Sequence, residues 1–407
     1  PLTTTMYFSI PDLQQFHDDN GISYTGYNIY INGFFHCTAR YKQLLSIHEQ
    51  LQAQNPHVKL PQFPPKKFFL TSSQLEERRI QLEKYIQLVG QNPTLANSDL
   101  LITFLFSAQQ ETHSVKMHEV DIEISLMNGY RIPLSVSSTD SSSTILDIAC
   151  NYINLPKELS KYFSLFLFNW SCAKDFQPSL KKLEEFESPF ISQKYVRPDD
   201  KIVLRKSYWD PCYDVDLMID RVSLDLLYLQ KDLALATPQQ KEDEQLTSFS
   251  CLFQYIELAR SLRHYGRIPA GEAMTDASNV CGSEGPCRVR VSLASRELTL
   301  QSITLPSREQ RYKVTRMRCW RITTLHTVRL FDTGIFLSFE YLVSKDNLQW
   351  ITLRTEHATF ISVCLQVSVH LLLYQSKFHS IIYYQLITPS SSSDTLSSAV
   401  SFQVILL

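Results

Sequence analysis

Hydrophobic and polar residues alternate along several stretches of the chain, a period-two pattern that is typical of strands with one buried face. The cleanest case is a pair of alternating stretches joined by Asn128-Gly129, which is a strong hairpin turn. A short amphipathic helix and two apolar stretches follow. The predicted elements are strands at 122–126 and 130–136, a helix at 145–153, and strands at 163–168 and 201–204. Together they predict a small α+β domain over 115–206.

Another hairpin is predicted closer to the N-terminus, around Asn32-Gly33, where aromatic and β-branched residues flank the turn. Two stretches of helical period come next, and Thr71 or Ser72 can cap the second of them. The predicted elements are strands at 24–31 and 34–41, a helix at 42–54, and a helix from the cap to Val89. These elements predict an N-terminal domain over 6–112.

Helical period returns in the middle of the chain, where large apolar residues share one helix face. An aromatic stripe of this kind is most often a buried core. The stretch 207–268 is therefore predicted to be a short helical lobe with a scaffolding role. The residues of the stripe are Phe249, Leu252, Phe253, Ile256 and Ala259.

Alternating stretches dominate the last third of the chain, and a helix that starts near Ile361 closes it. This pattern predicts an antiparallel sandwich over 275–366. The stretch 312–322 loses its alternation near Arg316, as expected of a bulged or edge strand. An open edge can accept an added peptide strand through main-chain hydrogen bonds, so we predict a peptide site there.

Composition narrows the function. The chain has 407 residues and is 44% hydrophobic, which is enough for two or three domains with cores of their own. None of the ten glycines falls in a Gly-x-Gly arrangement, which argues against a nucleotide-binding loop. Nine cysteines without a Cys-x-x-Cys pair predict reduced thiols in the cytosol. We find no catalytic triad, paired carboxylates or metal-ligand spacing, and predict a protein without enzymatic activity, metal or cofactor.

Positive charge is concentrated in one part of the chain. The formal net charge is -2 overall, yet the stretch 40–79 holds seven Lys or Arg against three Glu. These cations come from the end of a strand, from a proline-rich loop and from the start of a helix. The planar fork of Arg and the movable charge of Lys suit a phosphate-bearing head group, and the prolines stiffen the loop. The cations are Arg40, Lys42, Lys59, Lys66, Lys67, Arg78 and Arg79.

At these residues the chain resembles a known family. Arg40-Tyr41 at a strand end, a Pro-Pro-Lys-Lys loop and Arg78 at the start of a helix together resemble the phosphoinositide-binding PX domain. The stretches 7–11 and 205–211 are similar to the PX-FERM sorting nexins.

The resemblance implies an α+β multidomain fold, with a PX domain followed by an atypical FERM module. The N-terminal domain would be the PX domain. The FERM module would consist of a ubiquitin-like lobe at 115–206, a short helical lobe at 207–268 and a PTB/PH-like lobe at 275–366. The remaining stretch, 367–407, is an apolar and Ser-rich tail that departs from the family, and its apolar runs are too broken for a transmembrane segment.

The resemblance also implies a ligand, phosphatidylinositol 3-phosphate. Arg40 would hold the 3-phosphate, Tyr41 would stack beneath the inositol ring, Lys66 would bind the 1-phosphate and Arg78 the 4- and 5-hydroxyls. The alternative is that these are ordinary surface cations. Phe68 and Phe69, which follow the lysines, are either core residues or contacts with the bilayer interface.

For the PTB-like lobe the resemblance implies binding of Asn-Pro-x-Tyr or Asn-x-x-Tyr signals in receptor tails of the lipoprotein-receptor and integrin type. For Trp320 the alternative is a plain core role. The stretch 287–354 has twelve Lys or Arg and five Asp or Glu, a net of +7. Acidic tails or an anionic leaflet would be attracted, and we find no motif for nucleic acid. The predicted cargo-peptide residues are Val314, Arg316, Met317, Arg318, Cys319, Trp320 and Arg321.

These expectations define a cytoplasmic adaptor, a peripheral protein on the cytosolic face of early endosomes that directs cargo into recycling. In the family the C-terminal region contacts the retriever/commander recycling complex. The tail departs from the family after Gln366, so we expect that contact to be absent here. We expect a monomer. The competing hypothesis is a FERM-type linker between membrane and cytoskeleton without a recycling role.

Overall fold

The computed structural model describes most of the chain. The described residues are 6–17, 21, 23–67, 70–169, 180–194, 199–208, 210–230, 248–262, 265–282, 285–294, 296–325, 334–345, 347–376, 382–387 and 400–406. The two alternatives for Phe68 and Phe69 lie outside these residues.

The N-terminal domain packs helices against a sheet in which β3 pairs with β1, β2 and β4. Helix α2 begins at a capping box. The backbone N–H of Gln74 donates to the Thr71 hydroxyl, and the backbone N–H of Thr71 donates to the Gln74 side chain. The elements are β1 (Phe8–Ser9), β2 (Leu13–His17), β3 (Ser23–Ile31), β4 (Phe34–Arg40), α1 (Tyr41–Gln54), α2 (Ser72–Gln91), α3 (Pro93–Ala96) and α4 (Asp99–Thr112).

The next lobe is built on a mixed sheet of order β6-β5-β9-β7-β8. The predicted hairpin forms its β5–β6 edge, and β5 runs parallel to β9. The elements are β5 (Glu119–Ser125), β6 (Arg131–Ser137), α5 (Ser142–Tyr152), α6 (Lys157–Ser160), β7 (Phe163–Asn169), β8 (Leu180–Lys182), α7 (Pro189–Lys194) and β9 (Asp200–Lys206).

A helical lobe shares its core with this sheet. Leu224, Leu252 and Ile256 belong to the same buried cluster as Ile124 and Leu204, so the two lobes form one packed unit. Part of the predicted stripe is confirmed, because Leu252, Ile256 and Ala259 are buried on one helix face. The elements are a 3-10 turn (Pro211–Tyr213), α8 (Asp214–Leu217), α9 (Arg221–Leu229) and α10 (Phe249–Ser261).

The last lobe is an antiparallel sheet of order β13-β12-β11-β10-β16-β15-β14-β18-β17, closed by a long helix. Its core includes Trp320, Phe339 and, from the helix, Leu365. The elements are β10 (Ile268–Thr275), α11 (Ser278–Cys281), β11 (Cys287–Ala294), β12 (Glu297–Ser302), β13 (Glu309–Lys313), β14 (Met317–Leu325), β15 (Gly334–Ser344), β16 (Asn347–Arg354), α12 (Ala358–Ser376), β17 (Ile382–Ile387) and β18 (Val400–Leu406).

Two sequence expectations need correction. The stretch 312–322 is not one strand, because a 3-10 turn at Val314–Arg316 separates β13 from β14 and a bulge follows between Met317 and Cys319. Cys281 and Cys287 form a disulfide, with Cα atoms 5.3 Å apart, where we expected free thiols. The sequence left open whether the tail folds, and in the structure its strands β17 and β18 extend the sheet of the last lobe.

The N-terminal domain and the lobe that follows it meet through buried contacts. Phe186 packs into the core of the N-terminal domain, edge-on to the ring of His36. The Gln109 side chain donates to the Ser192 hydroxyl at 3.0 Å and accepts from the backbone N–H of Ser188 at 2.8 Å. The stretch around Phe186 therefore anchors the two parts to each other. In the described part of the chain, no helix combines the length and apolar character that a bilayer crossing requires.

Candidate functional site

The first predicted site begins where β4 gives way to α1, at Arg40 and Tyr41. The backbone N–H of Arg40 donates to the Gln43 side chain at 2.7 Å. The Gln43 amide in turn donates to the Glu111 carboxylate at 2.8 Å. These two hydrogen bonds hold the junction between β4 and α1 in place, and they therefore fix the backbone positions from which the Arg40 and Tyr41 side chains extend.

Tyr41 joins the junction to the proline-rich loop. Its hydroxyl donates to the Pro64 carbonyl oxygen at 2.9 Å, and the Arg78 guanidinium carbon lies 4.5 Å from the centre of its ring. Burial raises the pKa of the Tyr41 phenol and the Arg78 charge lowers it, with a net increase. Tyr41 is therefore a neutral donor near neutral pH.

Arg78 ties helix α2 to the same loop. One of its terminal nitrogens donates to the carbonyl oxygens of Pro65 at 3.5 Å and Lys67 at 3.4 Å, and only 8% of the residue is exposed. Lys66 lies between these two anchor points and is exposed. The contacts bring Tyr41, Arg78 and the loop that carries Lys66 to one place.

Arg79 has a different role from its neighbour. It is buried between Glu76 and Glu83, with nitrogen–oxygen distances of 2.6 and 2.8 Å, and it also donates to the Ile10 carbonyl oxygen. Burial alone would lower the Arg79 pKa, but the hydrogen bonds and charges of these glutamates raise it overall. Arg79 therefore holds α2 to the segment before β2, and Arg78 is the arginine that reaches the loop.

Arg40 points its guanidinium at an aromatic side chain that sequence reasoning missed. Its central carbon lies 3.3 Å from the centre of the Tyr24 ring. Tyr24 lies on β3, two residues before Gly26, which pairs with Arg40 across the sheet. The period-two pattern of β3 could have placed Tyr24 on the same face as Gly26. The observed register, which is shifted by a bulge between Ile29 and Tyr30, places Gly26 opposite Arg40 and Tyr24 diagonally beside it.

The predicted cargo-peptide residues divide between the core of the last lobe and its surface. Val314, Met317 and Trp320 are buried in the core, and the indole N–H of Trp320 donates to the Ser362 hydroxyl of α12 at 2.9 Å. Cys319 is also buried, with its sulfur 3.7 Å from a Glu340 oxygen. The plain core role that we held open for Trp320 therefore agrees with its burial.

The arginines of this set have partners outside the core. The Arg318 guanidinium pairs with Glu340 at 2.5 Å. Arg321 lies 4.6 Å over the Trp350 ring, and Arg316 donates to the Val343 carbonyl oxygen at 3.2 Å. The arginines of the predicted groove thus lie around β14 and its neighbours, outside the core of the lobe.

The edge of β14 that we predicted to be open is covered by the chain's own tail. Strand β18 pairs with it antiparallel, with Cys319 opposite Ile405 and Thr324 opposite Val400. Trp320 and Val404 are register partners in this pairing. Strand β17 then becomes the outer strand of the sheet. The described residues contain no group of three or more His, Cys, Asp or Glu that could hold a metal ion.

Comparisons with known proteins agree with this architecture. The PX family model matches residues 27–108, and the model of the F1 lobe of the FERM domain of sorting nexins 17, 27 and 31 matches 120–209. The model of the sorting nexin-17 FERM C-terminal domain matches 280–372, past Gln366, where we expected the family pattern to end. These matches confirm the predicted fold class, a PX domain followed by FERM lobes.

Proteins that are similar to this chain over most of its length are also sorting nexins. Sorting nexin-17 of Homo sapiens is 41% identical over 387 residues, which are 89% of this chain and 81% of the relative. Sorting nexin-17 of Danio rerio is 39% identical over 391 residues, covering 89% of this chain and 80% of the relative. Sorting nexin-31 of Homo sapiens is 32% identical over 382 residues, covering 89% and 84%. The chain therefore belongs to the sorting nexin family in which a PX domain precedes a FERM module, together with sorting nexin-17 and sorting nexin-31.

Proposed function

We propose that this chain is an endosomal sorting adaptor that binds phosphatidylinositol 3-phosphate through its PX domain and receptor tails through its last FERM lobe. The observation that supports the lipid site is the convergence of Tyr41, Arg78 and the loop at Pro64–Lys67. Two helices and one stiff loop hold these groups before any ligand arrives. A preorganised site loses little conformational freedom on binding.

Each side chain of the site has a chemical task in the proposal. The Arg40 fork binds the 3-phosphate, since Arg presents paired donors that match phosphate oxygens. Tyr41 offers a ring face to the inositol, and Lys66 supplies a mobile charge to the 1-phosphate. Arg78 uses part of its donor set on the Pro65 and Lys67 carbonyl oxygens, which leaves other N–H groups for the 4- and 5-hydroxyls.

Cargo recognition is the second half of the proposal. A receptor tail with an Asn-Pro-x-Tyr or Asn-x-x-Tyr signal would add a strand to β14 and meet Arg316, Arg318 and Arg321 around it. The basic charge of this lobe would attract acidic tails. The same edge pairs with β18, and one strand edge cannot pair with two strands at once. Strand β18 must therefore leave before a cargo peptide can pair with β14.

The place of action follows from the ligand. A single phosphoinositide head group gives reversible membrane attachment, as expected of a peripheral protein on early endosomes. Binding of cargo there would divert receptors into recycling. Contact with the retriever/commander complex stays outside the proposal, because the tail that carries it in the family differs here.

Vesicle sedimentation tests the lipid site. Wild-type protein should bind vesicles that contain phosphatidylinositol 3-phosphate and not vesicles of phosphatidylinositol alone. Arg40→Gln should weaken binding roughly 10- to 100-fold, because hydrogen bonds to charged groups contribute about 1.5–3 kcal/mol.

Lys42→Gln is the matched control, since it removes one exposed cation of the same helix end outside the site. It should bind nearly as wild type. Equal losses for Arg40→Gln and Lys42→Gln would mean that net charge, and not a phosphate site, drives the binding.

A further inference from the structure

The guanidinium of Arg40 is part of a layered stack. It lies 3.3 Å from the centre of the Tyr24 ring, and Tyr24 is itself stacked on Phe16 with ring centres 5.5 Å apart and planes inclined by 17°. Arg40 is exposed, and Tyr24 is partly buried. An exposed arginine samples many rotamers, so a face-on contact of this kind limits where its charge can be.

The backbone register of the sheet builds this stack. Phe16 and Tyr24 are register partners between β2 and β3, and Gly26 is the partner of Arg40 between β3 and β4. Tyr24 is thus the diagonal neighbour of Arg40 on one face of the sheet, a position from which long and aromatic side chains reach each other.

Gly26 leaves the room that the stack needs. A Cβ atom at this position would lie 2.6 Å from a ring carbon of Phe16 and 2.4 Å from the Thr38 methyl carbon. Any other residue at position 26 would therefore displace Phe16 and with it the support of Tyr24. The missing side chain lets the Phe16 ring lie over the strand.

A stacked guanidinium still has its donors available. The ring occupies one flat face of Arg40, while the N–H groups point outward in the guanidinium plane. Phosphate oxygens bind in that plane, as paired acceptors. Arg40 can therefore stack on Tyr24 and bind a phosphate at the same time. The stacking holds the guanidinium in place before the phosphate binds.

We propose that Tyr24, supported by Phe16, is a positioning residue that presents the Arg40 guanidinium to a phosphate monoester. This inference rests on the proposed lipid function and deepens it, since Tyr24 lies outside the set of residues assigned to the head group. Phosphatidylinositol 3-phosphate in a bilayer and its soluble short-chain form share the chemistry that Arg40 would bind.

The test compares Tyr24→Phe with Tyr24→Leu. Titration calorimetry with dibutanoyl phosphatidylinositol 3-phosphate measures the head-group site without a membrane, and vesicle sedimentation measures the bilayer form. Tyr24→Phe keeps the ring face and should bind both within about twofold of wild type. Tyr24→Leu should weaken both by roughly two- to fivefold, which corresponds to about 0.5–1 kcal/mol for an exposed cation–π contact.

A second readout follows Arg40 without any lipid. Nuclear magnetic resonance relaxation of the Arg40 Nε–H group should show higher mobility in Tyr24→Leu and in Phe16→Leu than in wild type, with Tyr24→Phe unchanged. Circular dichroism should show that all three variants keep their secondary structure. If Tyr24→Leu fails to fold, Phe16→Leu tests the same stack through its supporting ring.

The outcomes separate the inference from the proposed function. A loss on vesicles with unchanged soluble head-group binding would make Tyr24 a membrane contact and overturn its positioning role. Unchanged Arg40 mobility in Tyr24→Leu and Phe16→Leu would overturn it as well. If wild type binds neither form of the lipid, the proposed function fails, and the mobility of Arg40 alone then decides whether Tyr24 positions it.

Discussion

At the scale of single residues, the buried carboxylate of Asp214 connects side chains from several elements. It is fully buried and accepts hydrogen bonds from the hydroxyls of Tyr208 at 2.6 Å and Tyr265 at 2.8 Å. The Lys206 ammonium lies 3.4 Å away. Burial lowers the Lys206 pKa, and the Asp214 charge opposes that decrease. Asp214 therefore joins the last strand of the ubiquitin-like lobe to the helical lobe.

Removing this carboxylate should strongly destabilise the protein. Asp214→Ala leaves the partly buried Lys206 without its counter-charge and two hydroxyls without an acceptor. Removing one partner of a buried pair costs about 3–5 kcal/mol, and the partial exposure of Lys206 places the expected loss at the lower end of this range. Urea denaturation followed by circular dichroism measures the loss in the free energy of unfolding.

Asp225→Ala supplies the comparison, because Asp225 forms an exposed pair with Arg221 in which the two side chains are 43% and 46% exposed. Exposed helix pairs contribute about 0.3–0.5 kcal/mol, so this variant should unfold almost as wild type does. Similar losses in the two variants would show that burial of Asp214 has little effect on stability.

At the scale of elements, the strand pair β14–β18 bears most directly on the proposed cargo site. Six register pairs, from Cys319–Ile405 to Thr324–Val400, join the tail to the edge proposed for cargo. A peptide that needs this edge binds only the fraction of molecules in which β18 has left it.

Destroying β18 should therefore strengthen cargo binding. Gln403→Pro removes a main-chain donor in the middle of β18 and disfavours its pairing. If β18 occupies the edge for about nine-tenths of the time, the apparent Kd for an Asn-Pro-x-Tyr peptide should fall by roughly tenfold. Fluorescence anisotropy with a labelled peptide measures the change.

Gln385→Pro is the control, since Gln385 lies on β17, which pairs with β18 and not with β14. Its effect on peptide affinity should be smaller. No change in affinity for Gln403→Pro would mean that β18 and cargo do not compete for one edge.

Sequence patterns predicted where strands and hairpins lie better than they predicted which distant strands pair with each other. Hairpin turns at Asn32-Gly33 and Asn128-Gly129 predicted β3–β4 and β5–β6 because turn and period are local signals. The pairing of β18 with β14 joins residues about 80 positions apart. The apolar tail has no alternating pattern from which its partner strand could have been predicted. The contact of Tyr24 with Arg40 was missed because alternation gives a face but not the diagonal neighbour across it.

At the scale of the whole molecule, the junction between the PX domain and the ubiquitin-like lobe contains buried histidine. Burial lowers the pKa of His36, against the opposing charge of Glu187. Burial and the proximity of the His36 ring, which would repel a second positive charge, lower the pKa of His113 to about 4. Both rings are therefore neutral in the folded protein near neutral pH. Sequence could not predict this junction, since the stretch around Phe186 carries no periodic pattern.

Acidification should weaken the folded state through these rings. In the unfolded chain a histidine titrates near its ordinary pKa of 6.5, and in the folded chain the pKa of His113 is about 4. The unfolded state thus binds more protons between these values, so the free energy of unfolding should fall as pH decreases from about 6.5 to 4.5. Urea denaturation across this range measures the slope.

His113→Gln should make that slope shallower, because one of the groups with a lowered pKa is gone. His57→Gln, which replaces an exposed histidine of the same domain, is the matched control variant. An identical slope in wild type and His113→Gln would show that this ring takes no part in the pH response.

The position of Phe186 has a consequence for work with fragments. A PX domain cut from the chain after residue 112 would lose this ring from its core, and Gln109 and Asn32 would lose their partners Ser192, Ser188 and Glu184. The excised domain would expose to water the apolar surface that Phe186 covers in the intact chain. The side-chain amides of Gln109 and Asn32 would lose the hydrogen bonds that they make to the next lobe. An affinity for the proposed lipid that is measured with such a fragment would describe a destabilised PX domain. The intact chain is therefore the better sample for measuring the proposed membrane binding.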